Sequence, residues 1–240
     1  MNKNFCIIIP SRIGSTRLQN KPLINIGGQS LIQRVYKNAS RICSDSYIAT
    51  DSDLIKDNLK NITQNVIMTS EDHISGTDRI CEAANTLQIE DDTLILNLQG
   101  DEPFIPKDLL LKVIDDFFSS TCDVITVSND LISDDDLNNP NCVLVEVNKD
   151  SYATKFSRLD KINNPKRHIG IYGYSFKTLK KLVSLKPTQN ELKYKLEQLR
   201  FIENGFSIYV SNYDKEIPSG IDTPEDVKNA NIYLLNNENS

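Results

Sequence analysis

Residues 5–23 read "FCIIIPSRIGSTRLQNKPL". The first five, Phe5 to Ile9, form an apolar run with no polar alternation, which is the pattern of a strand buried on both faces of a parallel sheet. A strand with one face in water would alternate. A polar loop comes next, carrying Arg12, Arg17 and Lys21 among Ser11, Gly14, Ser15 and Thr16. Cations packed this closely repel one another unless they share an anion or each points into water. The loop therefore either cradles a phosphate-like anion or presents solvated surface cations, and its composition leaves both open.

The same rhythm repeats downstream. "SLIQRVYKNA" has helical period, then "SYIAT" is followed by "SDLIKDNL", "NVIMT" by "TDRICEAANTL", and "TLILNL" by "PKDLLLKVIDDFF", before "DVITVS". Continuous apolar strands that each precede a helix predict a doubly wound α/β fold with a mostly parallel sheet. In such folds ligands bind beyond the carboxyl ends of the strands. The loop after Ile9, "ATDSD" and "QGDEP" all fall there. From about residue 140 the rhythm changes to "VLVEVN", "YATKFSR" and "HIGIYGYSF", three strands without intervening helices, which predicts an inserted antiparallel sheet at about 140–176. Helices return at "LKKLVSL", "NELKYKLEQLRFIENG" and "TPEDVKNANIYLL", with a strand "SIYVSNY" between the last two. The chain reads as one domain over 1–240.

The chain has 240 residues, 39% hydrophobic and 25% charged, which is the composition of an ordinary soluble protein. No apolar run approaches the roughly 20 residues of a membrane-spanning helix. No export signal precedes "FCIIIP", so a cytoplasmic setting is expected. A net charge of −6 opposes a broad nucleic-acid footprint. Cys6, Cys43, Cys81, Cys122 and Cys142 are scattered singly and read as small hydrophobes.

Five constellations can carry chemistry. The first loop lacks GxxxxGK[ST] and GxGxxG. Backbone N–H groups around Gly14 and Ser15 can still form an anion nest, with Arg12 and Lys21 supplying full charges. In "TSEDHISGTDRICEAA", Asp72, Ser75 or Thr77 can cap a helix, and Arg79 in its first turn opposes the helix dipole unless an anion sits nearby. His73 reads as a hydrogen-bonding loop residue. In "LNLQGDEPFIP", Asp101 and Glu102 are either turn formers or hard oxygen ligands for Mg²⁺. In "SGIDTPEDVKNA", Thr223 and Pro224 explain themselves as N-cap and first helical residue, leaving Asp222 unassigned. In "ELKYKLEQLRFIENG", Leu192, Leu196 and Leu199 read as an apolar stripe, Glu191 and Lys195 as an i, i+4 pair, and Glu197, Gln198 and Arg200 as a polar face.

In order, "IIIPSRIGSTRLQNKPL", "ATDSD", "MTSEDHISGTDRI", "NLQGDEPFIP", "HIGIYGY", "LEQLR" and "GIDTPEDV" resemble the 3-deoxy-manno-octulosonate (Kdo) cytidylyltransferases, or CMP-Kdo synthetases, nearly end to end. The resemblance implies transfer of CMP from CTP to the anomeric hydroxyl of an acidic eight-carbon sugar, with Mg²⁺ and release of pyrophosphate. It implies a nucleotide site of Pro10, Ser11, Arg12, Ser15, Lys21, Ser75, Gly76 and Arg79. Asp101 and Asp222 would hold the metal and, with Arg12 and Lys21, act in catalysis. Gln99, Arg158, His168, Tyr172, Glu197 and Gln198 would line the sugar pocket, in a homodimer serving lipopolysaccharide assembly.

Two departures stand against the family pattern. Where the family has a small residue, Pro and Gly before its lysine, this chain has Gln19 and Asn20, and Asn tolerates the left-handed turn that Gly would make. Between Arg158 and His168 only "LDKINNPKR" remains of a longer family segment, and Tyr194 replaces a glutamate upstream of Glu197. Both of these fall on the sugar or dimer side, so the acceptor is expected to be Kdo or a close variant such as an 8-amino form. A nonulosonic acid, a sugar 1-phosphate or a non-catalytic nucleotide sensor are the alternatives.

Overall fold

The continuous burial expected of the first strand is present. The computed structural model describes residues 3–14, 17–133, 137, 139, 142–158 and 162–237. These fall into two compact units, one within residues 3–4, 90–96 and 108–216, the other within 5–89, 97–107 and 217–237.

The second of these opens with β1 (Phe5–Ser11), on which Ile7, Ile8 and Ile9 are all fully buried. It pairs in parallel with β4 (Ser46–Thr50), and β4 pairs in parallel with β5 (Val66–Met68). A separate antiparallel pair, β2 (Asn25–Ile26) and β3 (Gln29–Ser30), leads into α1 (Leu31–Ser40). That helix starts at Ser30 because Ser30 and Gln33 form a reciprocal capping box, and its buried Leu31, Ile32, Val35, Tyr36 and Ala39 follow the helical period. α2 (Asp53–Leu59) and α3 (Gly76–Thr86) follow β4 and β5, as the strand-then-helix rhythm predicts.

The other unit contains the first three residues of β6 (Leu94–Asn97), most of α4 (Lys107–Ser119) and β7 (Val124–Asn129). The predicted change of rhythm is here. β8 (Leu144–Val147) and β9 (Ala153–Ser157) pair antiparallel, and β10 (Lys166–Ser175) runs antiparallel to both β8 and β7. β11 (Ile208–Tyr213) then adds to β7 in parallel. A mixed α/β sheet flanked by helices is the result, with the antiparallel addition where the helices lapse.

Gly173 of β10 lies where a Cβ would stand 2.8 Å from Ile125 Cγ2 and 3.1 Å from Leu94 Cδ1. Those neighbours are core side chains with nowhere to retreat, so Gly173→Ala is expected to cost about 1–3 kcal/mol by overpacking. A lowered urea midpoint with an unchanged slope checks it.

One helix expectation is corrected. "NELKYKLEQLRFIENG" is not one helix but two, α6 (Gln189–Tyr194) and α7 (Glu197–Glu203), after α5 (Phe176–Ser184). The break is Lys195, which adopts the left-handed conformation at φ 54°. The apolar stripe fails with it: Leu192 is 67% exposed while Leu196 is buried. Glu191 does not serve Lys195 either. It closes a capping box with Thr188 and reaches Arg200. The assignment of Glu197, Gln198 and Arg200 to a solvated polar face is also overturned, because Gln198 and Arg200 are buried.

The five cysteines are free, with Cys6, Cys81 and Cys142 buried and the other two partly exposed. Among the described residues no helix is long and apolar enough to cross a membrane. α8 (Pro224–Asn237) closes the described chain.

Candidate active site

At the carboxyl end of β1, within the second unit, lies an open cleft of about 410 Å³. That volume falls in the range of small-molecule sites. The first loop supplies one wall. Asn20 takes the left-handed conformation (φ 52°, ψ 34°) ahead of a short 3₁₀ turn at Lys21–Leu23, which is the turn that its tolerance of positive φ predicts. The turn aims Lys21 into the cleft. Its Nζ donates to Asp101 Oδ2 at 2.6 Å and to Asp222 Oδ1 at 2.8 Å, and Arg17 Nη2 lies 3.2 Å from the other Asp222 oxygen.

Spacing alone did not show that Asp101 and Asp222 meet. The backbone brings them together: the Ile221 N–H donates to the Asp101 carbonyl at 2.8 Å. Gly220 eases the approach, since a Cβ there would stand 3.3 Å from the Asp101 carbonyl oxygen. Thr223 caps the helix as expected, accepting from the Asp226 N–H, while Asp226 accepts in return from the backbone of Asp222 and Thr223. Burial alone would raise the Asp222 carboxyl, but the hydrogen bond and charge of Lys21, with Arg17, outweigh it and hold Asp222 below the usual carboxylate range. Lys21 is shifted the complementary way. Burial works against its charge, and the two carboxylates more than offset that, raising its pKa.

Pro10, Ser11 and Arg12 line the same cleft. Ser11 Oγ is buried and has no hydrogen-bond partner among the described residues, an expensive condition for a hydroxyl unless a ligand supplies one. Gly100 lets the loop after β6 close on β1, because a Cβ there would stand 2.9 Å from the Pro10 carbonyl oxygen. Ser15 lies outside the described residues.

The far wall is the start of α3. Of the three candidate caps, Ser75 is the one used, accepting from the Asp78 N–H at 3.1 Å, and Gly76 packs on the Pro10 ring. Arg79 lines the cleft but is only 3% exposed, donating to Thr69 and Asp51. The anion that its position near a helix N-terminus calls for is thus Asp51, from the "ATDSD" loop. His73 contacts Glu82, which also accepts from the Ser70 N–H, so His73 is the loop residue that the sequence predicts. Sequence reasoning gave no role to Gly100 or Ile74, although both line the cleft beside Gly14 and Arg17 of the first loop. The glycine after Gln99 was the readable signal, since a strand end packed against another backbone favours glycine.

The sugar-side residues divide between the units. Gln99 lines the cleft and donates to Asn97 Oδ1 at 3.0 Å. Arg158, His168, Tyr172, Glu197 and Gln198 belong to the other unit. There the His168 and Tyr172 rings lie 5.6 Å apart, and Phe156 meets His168 edge-on at 5.1 Å. The Thr126 hydroxyl donates to the Ile171 carbonyl at 2.8 Å and so accepts from His168 Nε2, also at 2.8 Å. Desolvation and then the Arg158 charge push the His168 pKa down to about 3, so the imidazole is neutral with its proton on Nε2. Burial, followed by the Glu197 charge, raises the Tyr172 phenol and keeps it protonated, with Arg158 acting weakly the other way. Four of the five residues thus sense one another's charge or ring within one unit. Gln198 is buried beside Glu197 at the start of α7.

Residues 6–217 match the cytidylyltransferase family model. A 3-deoxy-manno-octulosonate cytidylyltransferase of Photobacterium profundum is 38% identical, over 96% of this chain and 99% of its own. This chain belongs to that family. The enzyme of the same name from Francisella tularensis subsp. tularensis is 39% identical over 94% of this chain and 96% of its own. A solved structure described as CMP:2-keto-3-deoxy-manno-octonic acid synthetase complexed with CTP is 31% identical, superimposes with a TM-score of 0.89, and covers 98% of this chain and 99% of that one. The family membership indicated by the seven sequence blocks is thereby established, and the chain is a nucleotidyltransferase of the cytidylyltransferase type.

Proposed function

We propose that this protein transfers CMP from CTP to the anomeric hydroxyl of Kdo, or of a close variant such as 8-amino-Kdo, and releases pyrophosphate. The observation that carries the reading is the convergence of Lys21, Asp101 and Asp222 at one end of a cleft whose other end is the capped start of α3. The triphosphate brings about four negative charges near neutral pH, and the hydroxyl's attack on the α-phosphorus proceeds only if these are neutralised and the leaving pyrophosphate is stabilised. Arg12 and Lys21 supply fixed positive charge, Ser11 Oγ an unspent hydrogen bond, and Gly76 with its neighbours the N–H groups of a helix N-terminus. A bond forms between the sugar oxygen and the α-phosphorus as the bond to the β-phosphate breaks, and the hydroxyl proton is released. No nucleophilic side chain is required.

Asp101 and Asp222 fit Mg²⁺, which takes one or two carboxylates and completes its shell with phosphate and water. When bound there it would screen the phosphates and lower the acceptor hydroxyl's pKa. Arg158, His168, Tyr172, Glu197 and Gln198 supply the mixture of cation, neutral imidazole, phenol, acid and amide that suits a polyhydroxylated carboxylic acid. Glu197 and Gln198 in this set disfavour a phosphorylated sugar, which would call for further cations. A homodimer, a cytoplasmic setting and a place in lipopolysaccharide assembly belong to the same reading. The test is pyrophosphate release from CTP and Mg²⁺, with Kdo, 8-amino-Kdo and N-acetylneuraminate offered in parallel. Release with one octulosonate names the acceptor, and silence with all three overturns the reading.

A further inference from the structure

Resting on that reading, we propose that Lys21 occupies the divalent-cation position in the nucleotide-free protein, so that the triphosphate must draw the lysine away before the metal can bind. Nζ spends two of its three N–H donors on Asp101 and Asp222, at 2.6 and 2.8 Å. A Mg²⁺ bound to both carboxylates would sit about 2.0–2.1 Å from their oxygens, in space that the ammonium now fills. Two cations at that separation repel strongly in a partly buried cleft, and the Lys21 side chain is only 15% exposed. The two occupants are therefore mutually exclusive.

The cleft offers the lysine one alternative. A triphosphate lying across Ser11, Arg12 and the start of α3 presents anionic oxygens to the same ammonium. Each carboxylate that Lys21 releases becomes an acceptor for the metal, so nucleotide and metal strengthen one another's binding reciprocally. Arg17 provides the contrast. Among the described residues it pairs with Asp222, at 3.2 Å, and not with Asp101, and its side chain is 55% exposed, so it contributes charge without filling the shared position.

Mn²⁺ binding to the nucleotide-free protein, followed by water-proton relaxation, tests this on the wild type, Lys21→Met, Lys21→Gln, Arg17→Met and Lys21→Met/Asp101→Asn, each first shown folded by its melting curve. Both Lys21 variants are expected to bind Mn²⁺ about tenfold more tightly than wild type, and the double variant to lose that gain. Arg17→Met, which removes the same charge, is expected to gain less than about threefold. Equal gains for Arg17→Met and Lys21→Met would reduce the effect to general charge and overturn the proposal. No gain in either Lys21 variant, while wild type binds CTP by calorimetry, overturns it and leaves the cytidylyltransferase reading standing. Wild type that binds no CTP removes that reading and the proposal with it.

Discussion

Asp101→Asn is expected to lower the rate of pyrophosphate release by about 10³-fold while leaving the melting temperature within a few degrees of wild type. The substitution removes one full negative charge and almost no volume. Its amide oxygen can still accept from Lys21 Nζ, and the backbone tie between the Asp101 carbonyl and the Ile221 N–H involves no side chain. The fold therefore loses little. The reaction loses much more, because one of the two carboxylates proposed to hold the metal no longer carries charge, and losing a single preorganised electrostatic partner of a transition state typically costs roughly 10²–10³ in rate. The split between kcat and KM is informative. CTP still meets Arg12, Ser11 and the start of α3, so its KM should move by less than about tenfold while kcat falls. Steady-state assays at saturating Mg²⁺ check this, and activity within tenfold of wild type would sink the metal assignment.

The fold was legible in the sequence to the extent that burial is local. Ile7 to Ile9 could only be buried on both faces, and the strands from Val143 to Phe176 announced an antiparallel addition by lacking helices between them. The site was less legible because its decisive contacts are long-range. That Asp222 reaches Asp101 depends on a backbone bond from Ile221, beside a Gly220 that leaves the Asp101 carbonyl room, and periodicity registers neither. Arg79 illustrates the same limit. Its place in the first turn of a helix announced the need for an anion, but not that Asp51 would be the one to meet it. The segment after Asn190 misled for a local reason. Its leucines follow helical spacing, yet the left-handed Lys195 resets the phase, and a lysine gives no warning of positive φ.

That reset sets up the second large effect, Arg200→Met. In a continuous helix Glu191 would lie nine positions and more than two turns from Arg200. The break at Lys195 folds α6 back so that Glu191 Oε2 comes within 3.4 Å of Arg200 Nε, while Glu197 Oε1 meets Nη2 at 2.8 Å and the Leu185 carbonyl accepts from Nη1 at 3.2 Å. One buried guanidinium thus joins three segments, and with its side chain 7% exposed water cannot replace it. Methionine matches much of its volume but removes the guanidinium from both Glu191 and Glu197. Breaking a buried pair in this way costs about 3–5 kcal/mol. Glu197 is 28% exposed and regains some hydration, so about 3 kcal/mol is expected, a fall in melting temperature of roughly 6–12 °C for a chain of this size. Arg200→Lys should recover less than half, since an ammonium cannot span three partners in a plane. The acceptor side should register the change as well: Glu197 loses its 2.8 Å tie to Arg200, so the KM for the sugar should rise while the affinity for CTP, measured separately by calorimetry, stays put. Equal weakening of both substrates would instead mean that Arg200 supports the fold generally and does not aim Glu197.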